Sequence, residues 1–188
     1  MEIAEGELRR LRSGPGAQDE QRQFFVRARF TAEDPVQVIA NARAVLTCVV
    51  EQVADWPAFD RWQQLLPEWF IQRSAPEHVE PEQSDPSNVE AWLRQWRAKT
   101  PEQKAVACQG PWSLSDWLFY FDTTEEGRGD DRSWWWWHAG TEVSGEGWVQ
   151  VATTGWPFET GSLSWLIEAS GGSDLAYGPG VSECVRHD

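Results

Sequence analysis

Apolar and polar positions first fall into register at residues 24–30, where Phe24, Val26, Ala28 and Phe30 alternate with Phe25, Arg27 and Arg29. Successive side chains of a strand point to opposite faces, so this segment predicts a strand with one apolar face and one face carrying two arginines. From Asp34 the period lengthens. Val38, Ile39, Ala42, Val45, Leu46, Val49, Val50 and Val53 recur at helical spacing. Asp34 suits the N-cap, Pro35 the first turn, and Gln37 completes a capping-box spacing. Asp55-Trp56-Pro57 stops that helix and opens another carrying Phe59, Trp62 and Leu66, and Pro67 begins a short turn containing Trp69 and Phe70. Residues 73–86, with Pro76, Pro81 and Pro86 among glutamates and serines, read as an extended, mobile connection. Asp85-Pro86 and Thr100-Pro101 repeat the cap-plus-proline device, the first followed by Val89, Trp92, Leu93 and Trp96 at helical spacing. Ser113 and Asp116 form another box with Leu114, Trp117, Leu118 and Phe121 on one helical face; a strand over Leu118–Phe121 is the alternative.

Beyond the acidic loop Asp122–Asp131 the period returns to two. Strands are predicted over Ser133–His138, Gly147–Thr154 and Leu163–Ala169, separated by glycine-containing turns at Gly140, Gly145, Gly147, Gly155 and Gly161. The expected fold is α+β: an antiparallel sheet of about four strands, one N-terminal and three C-terminal, with helices packed on one face. Residues 1–20, broken by Ser13-Gly14-Pro15-Gly16, are expected to be a flexible tail. Residues 21–170 are expected to form a single domain and residues 171–188, with Gly171-Gly172 and Gly178-Pro179-Gly180, a second flexible tail.

Composition sharpens this picture at one place. The chain holds 14 tryptophans in 188 residues, and Trp134, Trp135, Trp136 and Trp137 are consecutive. As a strand, the run sends Trp134 and Trp136 one way and Trp135 and Trp137 the other. One pair joins the core, and the other shares the second sheet face with Arg27, Arg29, Ser164 and Glu168. Indoles beside guanidinium groups make either a self-satisfied stack or a binding platform. Trp134, Trp135, Trp136, Trp137, Arg27 and Arg29 are therefore the candidate binding residues.

The formal net charge of −14 disfavours a phosphate-backbone partner and favours a basic one, or simply solubility. Cys48, Cys108 and Cys184 are widely spaced; Cys48 on the buried stripe reads as a small core hydrophobe and points to a reducing compartment. Met1 leads into Glu2, Glu5 and Glu7, unlike a secretory leader, and no apolar run reaches the length of a membrane span. A cytoplasmic protein is expected, and the preference for arginine over lysine suits a bacterial, GC-rich source.

Other chemistry is thinly represented. Asp122, Thr124, Glu126 and Asp130 match part of a calcium loop, but its closing glutamate is replaced by Ser133 and a strand follows instead of a helix. His138, at the end of the tryptophan run, is a candidate general base with Glu168, Asp130 or Asp131 as its partner. His78 and His187 have no second ligand at metal spacing, so no metal site is expected. Phosphate-loop, nucleophile-elbow and zincin motifs are absent, and neither a cofactor nor clear enzymatic activity is implied.

In general character the chain resembles bacterial immunity or antitoxin-type proteins, being small, acidic and tryptophan-rich. That likeness, of type rather than motif, implies association with a basic protein partner. The alternative is a small-molecule-binding protein or enzyme with a tryptophan-lined pocket, for instance in specialised metabolism. A homodimer burying exposed tryptophans is the third reading.

Overall fold

The computed structural model describes residues 2–16, 24–77, 94, 98, 110–124, 127, 132–155 and 157–179. Its elements run α1 (Glu2–Ser13), β1 (Phe24–Thr31), α2 (Pro35–Gln52), α3 (Phe59–Leu65), α4 (Glu68–Arg73), α5 (Leu114–Phe119), β2 (Trp134–Thr141), β3 (Gly147–Thr153), α6 (Gly161–Ala169) and β4 (Ser173–Pro179). The strands form one antiparallel sheet in the order β2-β3-β1-β4, so the fold is α+β with one N-terminal and three C-terminal strands. Apart from Arg94 and Ala98, both helical, the helices expected after Asp85-Pro86 and Thr100-Pro101 lie outside the described residues.

The sheet's inner face follows from alternation. Val26 pairs with Val151, Ala28 with Val149, and Trp136 with Val151 on the other side of β3. Gly147 opposes Phe30 because that ring occupies the space of a side chain: a Cβ there would lie 2.2 Å from it. Against this face α2 lays Val38, Ile39, Ala42, Val45, Leu46, Val49 and Val50, all buried. Its start is the one expected from sequence, with the Asp34 carboxylate accepting from the Gln37 N–H at 3.0 Å. Helix α5 is capped similarly, the Ser113 hydroxyl accepting from the Asp116 N–H at 3.1 Å, and the helical reading holds through Phe119.

Three expectations fail. The first concerns residues 163–169, which form helix α6 and not a strand. Leu163, Trp165, Ile167 and Ala169 satisfy a period of two, but Leu163, Leu166 and Ile167 equally satisfy a helical stripe, and a short apolar run does not separate the two. Gly171-Gly172 decides it. Gly171 adopts φ +109° and its N–H bonds to Glu168 O, while the Gly172 N–H reaches back to Ile167 O, the Schellman termination of a helix. Arg73 donates to Ala169 O and Asn41 to Ser170 O, completing that end.

The second correction follows from the first. Residues 173–179, expected in a flexible tail, supply β4, which pairs with β1 from Ser173 opposite Thr31 to Pro179 opposite Val26. The third lies at the other end: residues 2–13, expected to be frayed, form α1. Ala4, Glu7, Leu8 and Leu11 make its inward stripe, at i, i+3, i+4 and i+7. A carboxylate in that stripe conceals it from a hydrophobicity pattern. Gly14, at φ +77°, ends the helix.

Glu7 is 0% exposed. Its carboxylate accepts from both terminal nitrogens of Arg132, at 2.9 and 2.7 Å, and from the Trp136 N–H at 2.7 Å. Arg10 Nε donates to Trp136 O at 3.1 Å. Trp136 sits on β2, one of the sheet's two edge strands, so two side chains of α1 satisfy edge groups that would otherwise template a foreign strand. Replacing Glu7 with Ala strands the Arg132 charge and one backbone donor inside the protein, a loss of about 3–5 kcal/mol. The double variant Glu7→Met/Arg132→Met should recover much of that loss. Urea unfolding of the three proteins checks this; equal destabilisation of single and double variants contradicts it.

Candidate functional site

Helix α6 has two faces. Leu163, Leu166 and Ile167 point into the core and are fully buried, whereas Gly161, Ser164, Trp165 and Glu168, of which Trp165 is also buried, make a second stripe spaced i, i+3, i+4, i+7. Seven residues of helix span about 10 Å. That stripe forms one wall of a cleft of about 730 Å³, completed by Leu175, Tyr177 and Asp174 of β4, by Gly110, Trp112 and Tyr120 from around α5, and by Glu159, Thr160 and Ser162. Both tyrosines of the chain line it.

The walls are held from behind by an aromatic chain. Trp165 packs near Phe70 at 6.4 Å, Phe70 on Trp117 at 4.9 Å, and Trp117 on Phe121 at 4.7 Å. Phe121 meets Trp134 edge-on at 5.9 Å, and Tyr120 stacks near Trp134 at 6.2 Å. Such pairs contribute roughly 0.5–1.5 kcal/mol each beyond area burial and restrict ring orientation. The Trp117 indole donates to Ser162 O at 3.0 Å and the Trp134 indole to Ser162 Oγ at 2.9 Å, pinning the first turn of α6. Tyr120 OH lies 3.0 Å from Ser133 Oγ and accepts from the Ser133 N–H.

Inside the cleft Ser164 Oγ and Tyr177 OH are 2.7 Å apart. Burial, with Glu168 nearby, pushes the Tyr177 pKa up to about 12. A phenol that keeps its proton at neutral pH is a donor and not a base, so this pair can orient a bound group but does not activate the serine as a nucleophile. Burial also pushes the Glu168 carboxyl up from its ordinary value. Among the described residues Glu168 has no ion pair, and no basic side chain lines the cleft.

The residues singled out from sequence lie mostly elsewhere. Trp134 and Trp136 are core residues, fully buried. A bulge between Trp136 and His138 accommodates Trp137, which is buried between Phe25, at 4.7 Å, and the Arg10 guanidinium, at 4.7 Å. Trp135 is half-buried and Arg29 exposed. Arg27 is only 7% exposed: its guanidinium lies 4.0 Å over Trp148 and bonds Gln150 Oε1 at 3.2 Å and Glu142 Oε1 at 3.4 Å. The second sheet face is thus filled along Arg27 and Trp148 by its own side chains. Ser164 and Glu168, expected on that face, lie on the helical side, because they belong to α6 and not to a strand.

That placement also separates the expected catalytic pair. His138 stands on the second face, edge-on to Trp148 at 5.3 Å and beside Gly14, across the sheet from Glu168. Asp122 spends its carboxylate on the Thr124 N–H, while Glu126 and Asp130 of the calcium-like loop, and Asp131, lie outside the described residues. Among the described residues no three His, Cys, Asp or Glu side chains converge to hold a metal, and no helix is long and apolar enough to cross a membrane. Cys48 is half-buried against the core, its thiol pushed up by burial and by Glu51.

Sequence reasoning missed Trp112, Tyr120 and Tyr177 as site residues. The available signal was the Gly171-Gly172 helix stop, which would have turned Ser164 and Glu168 onto one helical face and freed residues 173–179 for the sheet.

A carboxyl whose pKa is raised on folding contributes stability in acid and loses it as pH climbs through the raised value. Glu168→Gln should therefore melt at or above the parent temperature near about pH 7, the difference closing below the ordinary carboxylate pKa of about 4. Thermal melts at both pH values test this, and a variant less stable at neutral pH contradicts it. Comparison with known proteins finds no matching family model, no similar curated protein and no similar solved structure, so the reading of function rests on this geometry.

Proposed function

We propose that this protein binds a small molecule in the cleft between α6 and β4. The observation that carries the reading is the cleft itself: a concavity of about 730 Å³ walled by Trp112, Tyr120, Trp165 and Tyr177, with Ser164, Tyr177 and Glu168 as convergent polar groups. Mostly apolar walls with a few placed polar atoms are the general form of a ligand site, and the volume lies in the usual range of roughly 300–1,000 Å³. Binding, not turnover, is the activity proposed, since the Ser164–Tyr177 pair lacks a basic member. The tryptophan run supports the site from behind, through Trp134 and Ser162, without touching the ligand.

A second reading, association with a basic protein, draws on the net charge of −14. It predicts salt-sensitive capture, because screening shortens the reach of such a field to about 8–10 Å at physiological salt.

Gly161 provides the experimental handle. A Cβ there would lie 2.6 Å from the Trp112 ring, so Gly161→Ala displaces a half-buried wall residue and leaves the core side of α6 untouched. Screening a small-molecule library by thermal shift should yield compounds that stabilise the parent and lose most of that effect in Gly161→Ala, by about tenfold in affinity, or 1.4 kcal/mol. Circular dichroism confirms that the variant folds. Hits indifferent to Gly161→Ala, or no hits at all, overturn the cleft assignment.

A further inference from the structure

Resting on that reading of the cleft, we infer that its ligand is an organic ammonium, an amine protonated at neutral pH and carried on an apolar ring. Three observations set this class. Among the described residues the lining contains Glu159, Glu168 and Asp174, and no lysine, arginine or histidine. The walls present the rings of Trp112, Trp165, Tyr120 and Tyr177, whose faces are electron-rich and attract cations. Trp165, 6% exposed, lines the cleft with an indole N–H that has no acceptor among the described residues, a donor that an ammonium does not satisfy but the face of the ligand's ring does.

Other cations and anions fit less well. A metal ion needs several converging oxygens, and no such group of three forms among the described residues. The positive end of α6, at Gly161, carries about half an elementary charge, and Glu159 lies two residues before it. The three carboxylates therefore set the sign of the field. Asp174 is partly engaged by the Thr31 hydroxyl at 2.6 Å, which leaves Glu168, free of any ion pair among the described residues, as the main counter-charge. The stripe of about 10 Å between Gly161 and Glu168 matches an ammonium separated from a ring by a short chain. The ring lies against Trp112 and Trp165. The ammonium sits at the Glu168 end, where Tyr177 OH and Ser164 Oγ accept or relay its remaining hydrogen bonds.

The test uses three probes of one shape and different charge: phenethylamine, phenethyl alcohol and 3-phenylpropionate. Quenching of intrinsic tryptophan fluorescence gives each affinity for the full chain and for Glu168→Gln and Gly161→Ala. The amine should bind about tenfold or more tighter than the alcohol, and the carboxylate weakest. Glu168→Gln should weaken the amine several-fold while leaving the alcohol unchanged, which a loss of fold would not do. Alcohol or carboxylate binding as tightly as the amine, with Gly161→Ala still disrupting it, overturns the ammonium assignment and leaves the cleft reading standing. Failure of all three probes also overturns the assignment. The cleft reading itself falls only when the wider library yields no binder sensitive to Gly161→Ala.

Discussion

One buried carboxylate organises the sheet's open edge. Glu7 is removed from water by α1 packing, and a charge so placed must be fully bonded or neutralised. It meets that requirement by taking the fork of Arg132 and the N–H of Trp136 together. Arg132 in turn lies over Phe121 at 4.8 Å and Trp134 at 5.0 Å, so the same contact that closes the edge also presses on the aromatic core. A bidentate pair has narrow geometry, and this one couples α1, the loop before β2 and the centre of β2. The interaction specifies where α1 docks more than it adds net stability, since a buried pair repays its own desolvation only in part.

From there the tryptophans act as framework. The indole N–H groups of Trp117 and Trp134 converge on Ser162, and the aromatic faces tile the space between α4, α5, α6 and β2. Large rigid rings fix distances with few rotatable bonds, which suits a small domain with a limited supply of aliphatic core residues. The cleft is the space left where this slab meets the outer face of α6. Burial in this cleft raises the Glu168 pKa above its ordinary value.

The consecutive tryptophans Trp134–Trp137 illustrate how far a pattern can mislead about function while being right about structure. Their alternation is real up to Trp136. After it the bulge places Trp137 under Arg10 and beside Phe25, so a ring that alternation alone offers to solvent is covered by the N-terminal helix. The Arg27–Trp148 stack fills the middle of the same face. Aromatic and cationic side chains on one sheet face read identically from sequence whether they await a partner or satisfy each other.

Local chemistry by itself determined much of the fold: β1 from its alternation, α2 from its stripe and the Asp34 cap, α5 from Ser113, and β2 and β3 from their return to a period of two. Each rests on contacts within a few residues, which a sequence displays directly. Tertiary structure alone decided the rest. Glu7 reads as a surface charge until Arg132, 125 residues away, is beside it. Residues 163–169 fit both periods; the Gly171-Gly172 stop favours the helix, and the sheet seals that choice by taking residues 173–179 beside β1. The site followed that decision, because Ser164, Glu168 and Tyr177 share a cleft only when α6 is a helix and β4 a strand. Long-range pairing selects between local conformations of nearly equal free energy, and that selection lies in no single segment of the chain.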